Sequence, residues 1–184
     1  MFRVWIGNLG KYNEGELVGE WVDLPCEDFD AVYERIGINF EEPINGTWYE
    51  EIFLADFEND YGYEVGEWDS LEALNDIADT LESLDEGEAE VYETLRSEGG
   101  YDHDDAIDII ESGDYTVWQD CRDMGEVAQE VYADVFEEVS RVSPLFERYF
   151  AGRIDWDGLG RDLACEGSFL WTRGTTTGFV EVIR

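Results

Sequence analysis

The most constraining feature of the sequence is the stretch 68–112, which is both very acidic and amphipathic. It holds sixteen Asp and Glu residues and one basic residue, Arg96. Its apolar residues recur at helical spacing, beginning with Leu71, Leu74, Ala78 and Leu81. A disordered acidic tail lacks such a stripe. The stretch is therefore predicted to fold and to hold its carboxylates on a surface.

The acidic charge of the whole chain is unevenly distributed. The formal net charge is −36 over 184 residues, which exceeds what solubility requires and opposes compact folding. Residues 1–67 hold seventeen acids and three bases, whereas 113–184 hold fourteen acids and seven bases. Salt adaptation, which the single lysine Lys11 also suggests, would predict acids spread evenly. The gradient favours a functional acidic surface, with a salt-adapted acidic enzyme as the alternative.

This composition excludes several classes of partner and site. A chain so acidic repels phosphates, which excludes nucleic acid and anionic membranes as partners, and no apolar run is long enough for a membrane span. Cys26, Cys121 and Cys165 are far apart and form no C-x-x-C pair, which predicts neither a disulfide framework nor a zinc site. A reducing cytoplasm is the expected location. The tryptophans are expected to anchor the core: Trp5, Trp21, Trp48, Trp68, Trp118, Trp156 and Trp171.

The residues also predict no catalytic centre. The sole histidine, His103, lies among acids that favour its protonated form, and we expect it to be a surface residue in the first turn of a helix. No nucleophile or nucleotide-binding signature is present. The alternatives are that His103 acts as a general base or metal ligand, or that two carboxylates form a hydrolase site, although no pair stands out among the 47 acids. We expect the chain not to be an enzyme and to carry no cofactor or metal.

One pattern is similar to a calcium-binding loop, which makes a calcium-binding module the other alternative. The carboxylates at positions 1, 3, 5, 9 and 12 of such a loop would be Asp56, Glu58, Asp60, Glu64 and Glu67. Position 6 needs a glycine for the sharp turn. Tyr61 occupies that position, with Gly62 one residue late.

The N-terminal third is predicted to be a small α+β unit. Strands are expected over 2–9 and 16–24, joined as a hairpin by a turn at 10–15. A helix is predicted from Phe29 to Ile36, then a loop or tight turn over 39–47. A further strand is predicted over 48–57.

The rest of the chain is predicted to contain a helical middle and a second α+β unit. Helices are expected over 70–84, 88–97 and 102–113, the first capped by Asp69 with Glu72. After a short strand at 115–118, one long helix is predicted from Asp123, and a short one from Pro144. A helix over 155–165 and a hairpin of 168–172 with 178–183, turning at 173–177, complete the pattern. The long helix would carry Val127, Ala128, Val131, Val135 and Val139.

These patterns together predict an α+β fold of three small domains. The boundaries are placed at 1–67 for an N-terminal α+β domain, 68–112 for an acidic helical middle domain, and 113–184 for a C-terminal α+β domain.

Duplex DNA carries about one charge per 1.7 Å, so a charge of −36 corresponds to about 60 Å of duplex. A compact globule of this length would be only about 40 Å across. Matching the charge density of DNA therefore requires an elongated molecule.

The two ends of the chain resemble a known family. Residues 6–21 closely resemble the opening of ArdA-type antirestriction proteins, and parts of 144–169 are similar to the family's C-terminal segment, with 151–154 as an insertion. The matching residues are Asn8-Leu9, Tyr12-Asn13, Gly15 and Gly19-Glu20-Trp21, then Pro144-Leu145, Tyr149-Phe150, Gly160-Arg161-Asp162-Leu163 and Gly167-Ser168-Phe169. The middle third matches in acidity and helical character.

The resemblance implies a specific function. It implies a curved, elongated DNA mimic of three domains, made by mobile genetic elements, that occupies the DNA-binding cleft of type I restriction-modification enzymes. Surface carboxylates would stand in for phosphates, and no catalytic residue is implied. From the predicted helix faces, the partner-binding carboxylates are Glu72, Asp76, Asp79, Glu82, Glu86, Glu90, Glu93, Asp102, Asp104, Asp105, Asp108 and Glu111.

The resemblance also implies a homodimer through the C-terminal domain. Charge repulsion between two copies is least in 113–184, where the net charge is smallest. The candidate interface residues are Val139, Leu145, Phe146, Tyr149 and Phe150. The alternative is that these residues belong to an ordinary core.

Overall fold

The computed structural model of the protein describes residues 1–172 and 178–183. Helices and small antiparallel sheets follow one another along the chain, which confirms the predicted α+β class. The chain forms two compact units, residues 1–89 and 90–184. The division into three domains and their elongated, curved arrangement remain predictions. Within the described residues, no helix is both long enough and apolar enough to span a bilayer.

The first unit is built on a three-stranded antiparallel sheet. Its strands lie in the order β2-β1-β5, and alternate residues of β1, namely Phe2, Val4 and Ile6, are buried. Val32 of α2 is also buried. The elements of this unit are β1 (Phe2–Asn8), α1 (Leu9–Asn13), β2 (Gly19–Leu24), α2 (Phe29–Arg35), β3 (Asn39–Ile44), β4 (Thr47–Tyr49), β5 (Ile52–Asn59) and α3 (Leu71–Ser83).

The apolar stripe predicted from Leu71, Leu74, Ala78 and Leu81 is confirmed on helix α3. Its four stripe residues are buried, whereas the residues between them are exposed or half-buried. On a helix, residues three and four apart share a face, so the acids between them are directed away from the core. The Asn75 side chain accepts a 2.6 Å hydrogen bond from the backbone N–H of Cys26. That bond joins α3 to the segment after β2.

The predicted cap of α3 is wrong by one residue. Ser70, not Asp69, is the N-cap, and its hydroxyl accepts from the backbone N–H of Ala73. The Asp69 carboxylate instead accepts from the N–H of Gly66 at 2.7 Å. Because Asp69 closes the preceding turn, the helix begins one residue later.

The second unit contains a three-stranded antiparallel sheet in the order β6-β8-β7. Val180 of β8 pairs with Val117 on one side and Leu170 on the other. This confirms the closing hairpin, whose predicted turn at 173–177 lies outside the described residues. The elements are α4 (Glu86–Ser97), which begins just before the division, α5 (His103–Ser112), β6 (Tyr115–Gln119), α6 (Met124–Val131), α7 (Ala133–Val142), α8 (Pro144–Tyr149), a short 3-10 helix (Ala151–Arg153), α9 (Trp156–Glu166), β7 (Ser168–Thr172) and β8 (Gly178–Val182).

One buried cluster of the second unit lies between this sheet and α6. Cys121, Val127 and Phe179 are buried together, with Trp118 and Trp171 packed against them at partial burial. Helix α9 packs on α6 at very close range. A Cβ added at Gly160 would lie 2.4 Å from the backbone carbonyl of Met124, so only glycine fits at this crossing.

The connection between β1 and β2 differs from the predicted turn. The two strands do pair antiparallel, as predicted, but residues 9–13 form the helix α1. The side chain of Asn8 caps that helix by accepting from the N–H of Lys11. Asparagine is a strong N-cap residue. The residues Gly10 and Asn13, which led to the prediction of a turn, are also compatible with a short helix.

Residues 39–47, predicted as a loop or tight turn, contain the tight turn but also a strand that was not predicted. Residues 39–44 form β3, which pairs with β4 across Asn45 and Gly46. Both turn residues have positive φ, 52° and 85°, which Asn-Gly adopts readily and which suits the twist of a hairpin. Pro43 disfavoured the strand prediction, but an edge position tolerates proline. The predicted strand 48–57 is accordingly divided between β4 and β5.

The long helix predicted from Asp123 is two helices. The cap is confirmed, because the Asp123 carboxylate accepts from the N–H of Glu126 at 3.0 Å. The helix then ends at Val131, and α7 begins after Tyr132. No glycine or proline marks this break, so apolar periodicity alone could not locate it.

The prediction that the tryptophans anchor the core is confirmed only in part, since Trp118 and Trp171 pack against the buried cluster of the second unit without being fully buried. None of the seven reaches full burial. Trp21, Trp48 and Trp68 are exposed, and the others are half-buried. The cores instead contain aliphatic residues together with Phe2, Tyr49, Phe53, Tyr92 and Phe179. An indole is too large to be enclosed fully by small units.

Candidate functional site

The carboxylates predicted on α3 lie on its exposed side. Glu72, Asp76, Asp79 and Glu82 are all exposed, opposite the buried stripe. The first three follow one another at helical spacing, i, i+4 and i+7, and therefore form a row along one face. The rise of about 1.5 Å per residue places a charge about every 5 Å along that row.

The carboxylates predicted on α4 and α5 are exposed with one exception. Asp85 and Glu88 form a reciprocal capping box at the start of α4, with two N–H to carboxylate distances of 2.9 Å. Glu90 is half-buried. Asp102 caps α5, which ends at Gly113 with a positive φ of 71°. The exposed predicted carboxylates of these helices are Glu86, Glu93, Asp102, Asp104, Asp105, Asp108 and Glu111.

Among the residues that the structure describes, no basic side chain neutralises these eleven exposed carboxylates. Within residues 1–172 and 178–183, no Lys or Arg side chain lies at ion-pair distance from any of them. The bases pair with acids elsewhere: Arg3 with Glu58, Lys11 with Glu14 and Glu16, and Arg35 with Glu20. Arg96 donates to the carbonyl of Tyr101. The negative charge of these helices is therefore available to an external partner.

Similar carboxylates in the first unit were missed by the sequence prediction. The predicted set was restricted to 68–112. Acids around α2 and the β3–β4 hairpin are also exposed, without a Lys or Arg at ion-pair distance in the described part of the chain: Glu27, Asp30, Glu34, Glu41, Glu50 and Glu51. The seventeen acids of residues 1–67 were the signal that could have identified them.

The second unit carries exposed apolar side chains on α7, on α8 and at Phe150, which follows α8. We define the α7–α8 face as Val135, Val142, Leu145, Tyr149 and Phe150, which are 51% to 71% exposed. No residue of α7 is buried. Three of the five predicted interface residues belong to this face, whereas Val139 and Phe146 are half-buried. Phe146 contacts the ring of Phe136 within the same chain, at 5.6 Å between centroids.

Comparison of the sequence with known proteins identifies a family. The profile described as "Antirestriction protein (ArdA)" matches residues 4–180. The chain belongs to the ArdA family of antirestriction proteins. The resemblance predicted from the two ends is thereby confirmed, and for this ArdA-family protein it extends through the acidic middle. A search of curated proteins finds no match. Membership implies a protein partner within a restriction-modification system.

His103 of this ArdA-family protein lies in the first turn of a helix, as predicted, but it is not fully at the surface. It is half-buried at the start of α5, and its Nδ1 lies 2.9 Å from the hydroxyl of the buried Tyr92. Burial lowers the pKa of His103 below its usual 6.5, and the nearby Asp104 carboxylate opposes that shift. The acids were expected to favour the protonated form. Asp104 and Asp102 do raise the pKa, but burial and the nearby Arg96 guanidinium lower it by more, so the net shift is opposite to the expected one.

The calcium-loop pattern does not form a loop in this ArdA-family protein. Asp56 and Glu58 lie on β5, an extended strand. Asp60 instead accepts from the N-terminal amino group at 2.8 Å. Among the described residues, no group of three or more His, Cys, Asp or Glu side chains is placed to hold a metal ion. The carboxylates are spread over surfaces, an arrangement suited to contact with a basic surface.

Proposed function

We propose that this ArdA-family protein inhibits type I restriction-modification enzymes by occupying their DNA-binding cleft in place of duplex DNA. The observation that carries the proposal is the set of eleven exposed carboxylates without a basic partner at ion-pair distance in the described chain. A DNA-binding cleft presents lysine and arginine to phosphates. The same side chains would form charge-assisted contacts with these carboxylates.

The charge density explains why many carboxylates are needed. One DNA strand carries a phosphate about every 3.4 Å, whereas the α3 row carries a charge about every 5 Å. One helical row is therefore sparser than one strand. The exposed acids of α4, α5 and the first unit add the remaining charge. Inhibition of this kind requires only binding, with no reaction and no cofactor.

The proposal includes a homodimer and a cytoplasmic site of action. The α7–α8 face supports self-association because an exposed apolar area of this kind is typical of interfaces. The target enzymes act on DNA, so the inhibitor must act in the same compartment. Antagonism of restriction would benefit a mobile genetic element that enters a new host.

A gel-shift competition tests the central proposal. A type I restriction-modification enzyme is bound to its labelled duplex, and the purified protein is titrated in at several salt concentrations. We expect displacement of the duplex, with an apparent affinity that falls steeply as salt rises. Failure to compete at low salt contradicts the proposal. That failure, combined with unfolding on transfer to low salt, would favour a salt-adapted enzyme.

Two variants with the same net charge test which acids contribute to competition with DNA. The first variant neutralises the exposed α3 carboxylates by Glu72→Gln, Asp76→Asn, Asp79→Asn and Glu82→Gln. The control changes the net charge equally at ion-paired acids, by Glu16→Gln, Glu20→Gln, Glu58→Gln and Glu138→Gln. At roughly 0.5 kcal/mol for each exposed charge pair, the α3 variant should compete about tenfold or more weakly. An equal loss in the control would show that only total charge matters.

A further inference from the structure

The β3–β4 hairpin presents aromatic side chains to solvent within the acidic first unit. Phe40 is 56% and Trp48 50% exposed, and Ile44 is also exposed. The strand register pairs Asn39 with Tyr49, and Tyr49 is buried. Because side chains alternate along a strand, the next residues, Phe40 and Trp48, lie on the opposite, outer side. We define Phe40 and Trp48 as the hairpin face.

The inner side of the hairpin is fixed to α1. The Tyr49 hydroxyl donates to both carboxylate oxygens of Glu14 at 2.9 Å, and the Lys11 ammonium lies 4.7 Å from the Tyr49 ring centre. These contacts lower the pKa of Glu14 and raise that of Lys11. On the outer side, the Phe40 ring meets Tyr33 of α2 edge-on at 5.5 Å. The hairpin face is therefore held in place by its surroundings.

The charges next to the hairpin face define what can bind there. Glu34 follows Tyr33, Glu41 follows Phe40, and Glu50 follows Tyr49, and all three acids are exposed. Arg35, the nearest base in sequence, pairs with Glu20 at 2.6 Å. A partner that carries phosphates would be repelled by these acids. A basic protein surface would be attracted, and its arginine or lysine side chains could bind over the aromatic rings.

We propose that the hairpin face is a second kind of contact with the same basic cleft, in which Trp48 and Phe40 bind arginine or lysine side chains of the restriction-modification enzyme. This inference rests on the proposed function. Carboxylates attract the cleft over a distance, but salt screens that attraction. Burial of an aromatic ring against a guanidinium or its methylene groups is much less sensitive to salt. Aromatic residues also tend to dominate the binding energy of interfaces.

The salt series separates the two kinds of contact. Trp48→Ala should weaken DNA competition about fivefold to thirtyfold, and Phe40→Ala should weaken it by a smaller factor. The loss should be similar at every salt concentration, so that the plot of log affinity against log salt shifts without changing its slope. The α3 charge variant should instead make that slope shallower. Trp48→Phe should restore most of the affinity, because it keeps an aromatic ring.

Trp68→Ala is the matched control, since Trp68 is 64% exposed, lies in the same unit, and is not part of the hairpin. It should compete like the wild type, and circular dichroism should show all variants folded. If the wild type displaces DNA, and Trp48→Ala and Phe40→Ala each do so with an affinity within twofold of the wild type, the inference is overturned but the proposed function remains intact. Absence of competition by the wild type overturns both. A Trp48→Ala protein that becomes monomeric in sedimentation would assign the face to self-association and also overturn the inference.

Discussion

Asn8 is a fully buried polar residue whose side chain bonds to three backbone groups. Its amide donates to the carbonyls of Ile36 and Gly37 at 3.1 Å, and its carbonyl oxygen accepts from the N–H of Lys11 at 3.0 Å. It therefore joins β1 to the end of α2 and caps α1. Asn8→Ala should destabilise the first unit by about 3 kcal/mol, from roughly 1 kcal/mol for each lost bond.

Urea unfolding followed by tryptophan fluorescence measures this effect. Asn13→Ala, at an exposed position in the same short helix, serves as the control and should shift the midpoint little. If both variants unfold at the wild-type midpoint, the Asn8 bonds contribute no net stability. Asn8→Asp is informative as well, because it keeps the acceptor for Lys11 but loses the two donors and buries a charge.

His103 makes stability depend on pH in a predictable direction. Its folded-state pKa lies below the usual 6.5 because of burial. Between these two pKa values, the unfolded chain therefore binds more protons than the folded chain. Stability therefore rises as pH increases through the interval between the folded pKa and 6.5, and it falls on acidification through the same interval. His103→Gln should flatten this part of the profile. The measurement is the urea midpoint as a function of pH.

The single histidine permits a direct check of the same shift. Its imidazole protons give one titrating resonance set in an NMR spectrum, and the midpoint should lie below 6.5. Tyr92→Phe removes the hydroxyl that bonds to Nδ1, so it tests whether that contact adds to the burial effect. A wild-type midpoint above 6.5 would mean that Asp104 and Asp102 dominate, as the sequence suggested.

At the scale of elements, the crossing of α6 and α9 depends on one glycine. A Cβ at Gly160 would approach the carbonyl carbon and oxygen of Met124 to 2.4 Å and the N of Gly125 to 2.7 Å. These are backbone atoms and cannot move aside as a side chain can. Gly160→Ala should therefore separate the helices and destabilise the second unit by about 2 kcal/mol.

Gly152→Ala is the matched control for this prediction. Among the described residues, no atom outside Gly152, its two chain neighbours and the backbone of its own helix lies within 4 Å of the added Cβ, so the variant should unfold close to the wild type. Thermal unfolding followed by circular dichroism gives the comparison. Equal stability of Gly160→Ala and Gly152→Ala would show that the second unit tolerates a wider spacing between α6 and α9.

Helices and strands were predicted correctly where a local sequence signal determines the structure. For α5, the Asp102 cap and the left-handed Gly113 are adjacent to the apolar stripe, and the helix was predicted within a residue. The strand β3 was missed because Pro43 argues against a strand, and only its edge position in the folded hairpin permits it. The break at Tyr132 was missed because tertiary packing, rather than a local breaker, buries Val127 but no residue of α7.

The candidate surface was also predictable only in part. The exposure of the α3 acids followed from helical periodicity, since the buried stripe fixes the opposite face. The absence of basic partners within the described part of the chain could not be predicted, because ion pairs join residues far apart in sequence. Arg35 and Glu20 are 15 residues apart, and Arg3 and Glu58 are 55 apart. Which acids remain unneutralised is therefore decided by the fold.

At the scale of the whole molecule, the net charge of −36 has opposite effects on the two proposed associations. Binding to a basic cleft is an attraction between unlike charges, which salt weakens. Pairing two copies of the chain brings like charges together, and the apolar α7–α8 face must overcome that repulsion. Salt screens the repulsion and leaves hydrophobic burial largely intact. The two associations should therefore respond to salt with opposite signs.

Sedimentation across a salt series tests the dimer on this basis. We expect the dimer to dissociate at low salt and to tighten as salt rises, while DNA competition weakens over the same range. Leu145→Glu, at a 62% exposed position of the α7–α8 face, should yield a monomer of about 21 kDa at every salt concentration. Leu17→Glu, at a 70% exposed position in the first unit, adds the same charge and should leave the dimer nearly unchanged. A dimer that loosens with salt, or that survives Leu145→Glu, would mean that charged contacts elsewhere hold the two copies together.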